Sequence, residues 1–280
     1  MKPTRGVVTK QVLLSIFLSL LIIWGIGTNC LAVETLVIEG TGDSQDLLRI
    51  LAKAYEKNHR DAHIEIPDSI GTTGGVKTTS EGKCVMGRTA RKLRDKEKAY
   101  NLNYKEFAYS PVVFIANLYD KKPDNLSTEQ IIDIFSGKIT SWEELGGQRQ
   151  PIYVVNRQED DSARNVLEQN MAGFKDIKKL AGKTVYTTPE TIDILNRYKN
   201  TIGYGPYSMT VNSGLTVLKV DGLYPSIKDV QSGTYKFMAP FGLVWKGELT
   251  GLAKDFVDFL FTKEAQTIMI KNGTVPVKMQ

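Results

Sequence analysis

The chain has 280 residues, with 36 basic against 31 acidic side chains and a net charge of +5. Three of the positive charges, Lys2, Arg5 and Lys10, lie in the first ten residues, so the rest of the chain carries only +2. That excludes a nucleic-acid footprint, and two cysteines, Cys30 and Cys84, exclude a disulfide-rich scaffold.

Residues 1–32 read as a secretory signal. The three basic residues precede an apolar run from Val12 to Ile26, and Cys30-Leu31-Ala32 puts small residues at −3 and −1 before Val33. A retained membrane anchor is the alternative, although the run is short for a span. Asn29 fits poorly to lipidation at Cys30. Cleavage leaves one cysteine, Cys84, whose apolar neighbours point to a buried core thiol.

Leu36-Val37-Ile38-Glu39 is a short strand, Gly40-Thr41-Gly42-Asp43-Ser44 a polar loop, and Leu47, Leu48, Leu51, Ala52 and Tyr55 mark a helix. Ile64-Glu65-Ile66 is a second strand, leading to a Gly/Thr-rich loop and a helix near 76–82. Cys84-Val85-Met86 is a third, ending at Gly87-Arg88-Thr89-Ala90-Arg91. Strand, polar loop and helix in series predict a parallel α/β sheet, which binds ligands beyond the carboxyl ends of its strands.

The loop before the second helix, IGTTGGVKTT from Ile70 to Thr79, fits a nucleotide P-loop at Gly71, Lys77 and Thr78. Val76 stands where that motif needs its second glycine, and a β-branched residue resists the left-handed backbone of a phosphate nest. Two readings stay open: a helix N-terminus that cradles a free anion, and a capping turn with no ligand.

Further on, Pro111 to Ala116 is an apolar strand, and Ser127 with Gln130 forms a capping box for a helix through Phe135. Strands follow at 152–155, 184–186, 201–204 and 241–245, and one amphipathic helix closes the chain from Leu252 to about Ile270. Two α/β lobes joined by more than one crossover fit better than two domains in series.

His59 and His63 have a helical metal-ligand spacing, but Asp61 and the strand at Ile64 place the helix end before them, so no metal site is expected. A hydrolase would need a base beside a nucleophile; no G-x-S-x-G elbow exists and neither histidine ends a strand.

The segment Leu126-Ser127-Thr128-Glu129-Gln130 through Phe135-Ser136-Gly137-Lys138-Ile139-Thr140-Ser141-Trp142-Glu143-Glu144-Leu145-Gly146-Gly147 closely resembles the phosphate-binding proteins of bacterial ABC importers. IGTTGGVK, Thr201-Ile202-Gly203-Tyr204-Gly205, Val230 to Tyr235, Lys263-Glu264-Ala265-Gln266 and Gly273-Thr274-Val275-Pro276 resemble other segments of that family, in order. The resemblance implies a two-lobed type II periplasmic binding protein, α/β, with hinge crossovers and a ligand cleft between lobes. Lobe 1 would comprise 33–113 and 237–280, lobe 2 residues 114–236. It also implies a periplasmic monomer without cofactor, catalysis or nucleic-acid partner, passing inorganic phosphate or a similar oxyanion to an inner-membrane permease. Sulfate, molybdate or tungstate are alternative ligands, and a sensing subunit of a membrane receptor is an alternative role.

By the same resemblance, Ser44 and Gln45 offer a hydroxyl and backbone N–H to the anion, and Thr72 a hydroxyl with N–H groups from Thr73 and Gly74. Arg157 matches a bidentate arginine, its alternative being a surface pair with Glu159 or Asp161. The sequence departs from the family pattern in two places. Val85 stands where the family is expected to carry a proton-accepting aspartate, and Asp161-Ser162-Ala163 replaces Ser-Gly-Thr. An aspartate 4 Å from a dianion with no shared proton costs roughly 4 kcal/mol at an effective dielectric of about 20. Either Asp161 takes over the acceptor role, with Arg88 beside Thr89 compensating its charge and Arg91 and Arg164 nearby, or it caps the next helix and points away, leaving Ser162 as the donor.

Overall fold

The computed structural model describes residues 33–211 and 213–277. The N-terminal segment 1–32, with its export reading, lies outside the described residues. The first elements are β1 (Glu34–Gly40), α1 (Gln45–Asn58), β2 (Ala62–Glu65), α2 (Gly71–Ser80), β3 (Met86–Thr89), the short α3 (Asp95–Lys98) and the long β4 (Leu102–Asn117). Next come β5 (Asn125–Leu126), α4 (Thr128–Ser136), β6 (Tyr153–Arg157), α5 (Ser162–Asn170), β7 (Lys183–Val185), α6 (Thr188–Arg197) and β8 (Thr201–Pro206). The chain closes with β9 (Thr216–Val220), α7 (Ile227–Gln231), β10 (Met238–Lys246), α8 (Gly251–Phe259), α9 (Lys263–Lys271) and β11 (Val275–Pro276).

The strands run in the order β2-β1-β3-β10-β4-β8-β6-β7. β1 is parallel to β2 and β3, and β6 to β7 and β8, as the strand–loop–helix series predicts. β10 is antiparallel to both β3 and β4. The sixteen residues of β4 serve both ends of this order: Leu102 to Pro111 pair with β10, and Val112 to Asn117 with β8.

Burial explains the elements. Leu47, Leu48, Leu51, Ala52 and Tyr55 lie on one face of α1 and pack into a core with β1, β4, α8 and α9. Each such leucine contributes about 2 kcal/mol by leaving water. A second core gathers Phe114, Phe135, Trp142, Phe174 and Tyr204 around β4, α4 and β8. Beyond Pro111 successive side chains of β4 alternate between faces: Val112, Phe114 and Ala116 enter this core, Val113 and Ile115 a smaller one with Val185 and Leu195.

Three expectations change. The third strand is Met86–Thr89, and Cys84 and Val85 precede it in a bend. Val85 is 59% exposed. The helix placed near 76–82 starts at Gly71, so the Gly/Thr-rich loop is itself the opening of α2. Gly75 lets that helix lie on β1, since a Cβ there would stand 2.6 Å from the Gly40 Cα. The single closing helix is two, because the Thr262 hydroxyl caps a fresh start by accepting from the Ala265 N–H at 3.3 Å. No helix among the described residues is long and apolar enough to cross a membrane.

Candidate functional site

The loops after β1, β2, β6 and β7 deliver the N-termini of α1, α2, α5 and α6 to one place. Contacts across it join the two cores. Thr72 Oγ1, in the first turn of α2, lies 3.1 Å from Ser162 Oγ, the first residue of α5. The Thr188 hydroxyl at the start of α6 donates to Asp43 Oδ1. At the rim Arg94 pairs with Asp160 at 3.1 Å. Between these contacts is a cavity of about 120 Å³ walled by Thr41, Gly42, Ser69 to Thr73, Arg157, Gln158, Asp160 to Ser162, and Tyr186. A larger cavity of about 770 Å³ among Tyr119, Tyr153 and Tyr198 has neither a carboxylate nor an arginine on its wall.

Four helix N-termini aim their dipoles at this region; those of α5 and α6 are capped by Asp161 and Thr187. Neither Ser44, ahead of α1, nor Ile70, ahead of α2, makes a side-chain cap bond. In α2 the N–H groups of Thr72 and Thr73 therefore lack helical partners, whereas Gly74 stands where the first i→i−4 bond closes. Thr72 also accepts from the Ala90 N–H at 3.1 Å, which orients its hydroxyl.

Arg157 ends β6 with a side chain only 4% exposed. Its Nη1 donates to Thr191 Oγ1 at 2.7 Å and its Nη2 to Asp161 Oδ2, while Nε is buried with no hydrogen-bond partner. Asp161, its side chain 6% exposed, also accepts the Arg164 N–H on Oδ1 at 3.0 Å. It is thus both the cap of α5 and the partner of Arg157, and it does not point away. The pair expected as a surface alternative forms, but buried.

The other expected residues fall into three groups. Thr72, Thr73, Arg157, Asp161 and Ser162 share the cavity wall. Ser44 and Gln45 lie just behind it, buried; Ser44 Oγ has no partner, and Gln45 Oε1 accepts from Arg88 Nη2 at 3.4 Å. Gly74, Arg88 and Thr89 are not on the wall. The Arg88 guanidinium donates to the carbonyls of Thr41 at 2.7 Å, Pro67 at 2.7 Å and Ile38. Those carbonyls hold it inside the first core, where burial pushes its pKa down to about 10. The Thr89 hydroxyl is buried without a partner at the end of β3. Val85, exposed in the bend before β3, is not on the cavity wall. Of the two flanking arginines, Arg91 reaches Thr73 Oγ1 at 3.1 Å while paired to Glu97, and Arg164 turns to Glu168 at 2.6 Å.

Asp43 was not singled out from the sequence. It is 2% exposed and its Oδ2 is buried with no partner. Burial, and next the Asp161 carboxylate, push it up to about 6 against the pull of Arg157 and the Thr188 hydrogen bond. The signal available was a lone acid in a Gly/Thr/Ser loop at the carboxyl edge of the sheet. Thr187-Thr188-Pro189-Glu190, a helix start after β7, marked the facing wall in the same way.

A family model described as a PBP superfamily domain matches residues 30–264. The Phosphate-binding protein PstS of Bacillus subtilis (strain 168) is 29% identical over 252 residues, spanning 88% of this chain and 82% of that protein. A Clostridium perfringens structure, described as a phosphate ABC transporter substrate-binding protein with bound phosphate, is 31% identical with a TM-score of 0.78. It covers 88% of this chain and 100% of its own. An ABC-type phosphate transport receptor from Vibrio cholerae, at 21% identity and a TM-score of 0.63 over 86% of this chain and 99% of its own, shares the fold.

Proposed function

The chain belongs to the PBP superfamily, among its PstS-like phosphate-binding proteins, and on that premise we propose that it captures inorganic phosphate in the cavity between its lobes and delivers it to an ABC-importer permease. The observation that carries the reading is the pairing of donors across the cleft: Thr72 and the free N–H groups of α2 face Ser162 and the Arg157 guanidinium. A tetrahedral oxyanion presents acceptors in all these directions at once. Contacts with both lobes bias the open–closed equilibrium toward closure, which is how capture becomes a signal to a membrane partner.

In this reading Thr72, Ser44 and Ser162 supply hydroxyls, Thr73 a backbone N–H group, and Arg157 its unpartnered Nε with the charge it shares with Asp161, while the Gln45 N–H stays on the Gly42 carbonyl at 3.3 Å. Arg88, Gly74 and Thr89 support the loops without touching the ligand. The hinge runs through β4 at 113/114 and through 236/237, where the Val112 N–H donates to the Phe237 carbonyl at 2.7 Å. The first 32 residues act as a cleaved export signal, which places the protein in the periplasm. No bond is made or broken in the ligand; the chemistry is reversible binding.

Calorimetric titration with phosphate, sulfate and molybdate tests the reading. Phosphate binding with sulfate and molybdate ignored is the expected result. Preference for either fully ionised dianion, or no binding of any of the three, would overturn it.

A further inference from the structure

We propose that Arg94 and Asp160 are positioning residues that form the latch of the cleft: an ion pair made only when the lobes are closed, which sets how long a captured phosphate stays. The inference rests on the phosphate reading above and adds to it two residues that govern release without holding the ligand.

The pair crosses the mouth of the cavity. Arg94, just ahead of α3 on the first lobe, reaches Asp160, in the loop between β6 and α5 on the second, at 3.1 Å. Among the described residues it is the one ion pair that crosses the cleft. Thr72 to Ser162 and Thr188 to Asp43, both buried, are hydroxyl hydrogen bonds.

Arg94 is braced from its own lobe. The Glu97 carboxylate, itself buried, accepts the Arg94 N–H at 2.8 Å and grips Arg91 through both oxygens at 2.7 and 2.8 Å. Arg91 in turn donates to Thr73 Oγ1 on the cavity wall at 3.1 Å. One buried carboxylate thus fixes residues 91–97 against the opening of α2, and less chain freedom is lost when Arg94 meets its partner.

Asp160 is an acid on the wall of an anion cavity. The arginines of its own lobe that flank the site are taken, Arg157 by Asp161 and Arg164 by Glu168. In the open cleft Asp160 is then an unpaired negative charge at the entrance. Closure brings Arg94 over it, which neutralises the charge and ties the lobes in one contact. The two residues are therefore not equivalent. Losing Arg94 removes the tie and leaves the acid, whereas losing Asp160 removes both.

Release of radiolabelled phosphate into excess unlabelled phosphate gives koff, and calorimetric titration gives Kd, for wild type, Arg94→Gln, Arg94→Lys, Asp160→Asn and the Arg94→Gln/Asp160→Asn double variant. From the measured range for exposed ion pairs, Arg94→Gln should speed release about two- to fivefold with kon changed by less than about twofold. Arg94→Lys keeps the charge and restores most of the wild-type rate. Asp160→Asn raises koff to the same extent but also raises kon, so its Kd stays near wild type. The double variant releases no faster than Arg94→Gln, and added salt speeds release from wild type more than from either single charge-removing variant. Wild-type koff in Arg94→Gln, or losses that multiply in the double variant, overturns the latch and leaves phosphate capture standing. No phosphate binding by the wild type overturns both. The Asp160 side chain is 63% exposed, so Asp160→Asn decides the proposal through its koff even if Arg94→Gln fails to fold.

Discussion

Replacing Asp161 with Asn separates its two jobs. Asparagine is as good an N-cap as aspartate, so the acceptor for the Arg164 N–H is kept. The charge opposite Arg157 is lost, leaving a buried guanidinium with Thr191 at 2.7 Å as its remaining side-chain partner. Breaking a buried pair by removing one member costs about 3–5 kcal/mol. Part is offset because Asp43 loses a like-charged neighbour, which leaves a net cost of roughly 2–4 kcal/mol. That is a large share of a total stability of about 5–15 kcal/mol. At about 2–4 °C per kcal/mol for a chain of this size, the midpoint drops by roughly 5–15 °C. Urea unfolding in phosphate-free buffer measures it, and the variant should recover a larger fraction of its stability than wild type when phosphate supplies the missing anion. A variant within about 0.5 kcal/mol of wild type without ligand would refute the reasoning, because the Arg157 charge would then be solvated rather than dependent on Asp161.

The pH behaviour of Asp43 has a definite sign. Its carboxyl titrates near 3.8 when unfolded and about 6 when folded, so the native state holds the extra proton between those values and stability falls as pH rises through them. The loss is on the order of 3 kcal/mol; melting curves of the ligand-free protein from about pH 4 to about pH 8 should show it in wild type and not in Asp43→Asn, and a flat wild-type curve would contradict it. Arg88→Lys cannot serve three separated carbonyls, each costing about 1–3 kcal/mol if orphaned. It should lower stability by about 3 kcal/mol while changing phosphate affinity less than about threefold; the reverse pattern in denaturation and titration would make Arg88 a ligand contact. Gly75→Ala puts a Cβ 2.6 Å from the Gly40 Cα and 3.0 Å from the Glu39 carbonyl oxygen. Lifting α2 off β1 should cost about 1–3 kcal/mol and displace Thr72, weakening phosphate binding; unchanged stability and affinity would show that the contact relaxes freely.

The parallel units were legible because each wrote its period in apolar residues: β1 with α1, β6 with α5, and the Ser127–Gln130 box ahead of α4. Which side chains turn inward was not. Arg88 looks like a free cation next to a threonine, yet its guanidinium goes to backbone carbonyls made available by the close approach of Gly40, information held in the tertiary packing alone. Val85 was given a ligand's place by resemblance to the family, but it lies in the bend before β3 and is exposed. Asp161 had two readings, ligand acceptor or a helix cap pointing away; it caps α5 through Oδ1 but turns Oδ2 inward to Arg157, a combination neither reading foresaw. Asp43 passed as turn chemistry because Gly-Asp-Ser is ordinary in turns, and only burial makes it unusual.

The place of β10 has a consequence for the order of assembly. The first core needs Phe241 and Leu243, and β3 and β4 meet only through this strand, so residues 34–117 on their own leave a gap in the middle of their sheet. Until residues 238–246 have been synthesised the N-terminal half has its helices and two parallel pairings but no closed core, and the loops that wall the cavity have nothing fixed to hang from. Contacts between β3 and β10 span more than 150 positions, which makes this a slow, late closure. A growing chain of this design can close its N-terminal core only near the end of its synthesis.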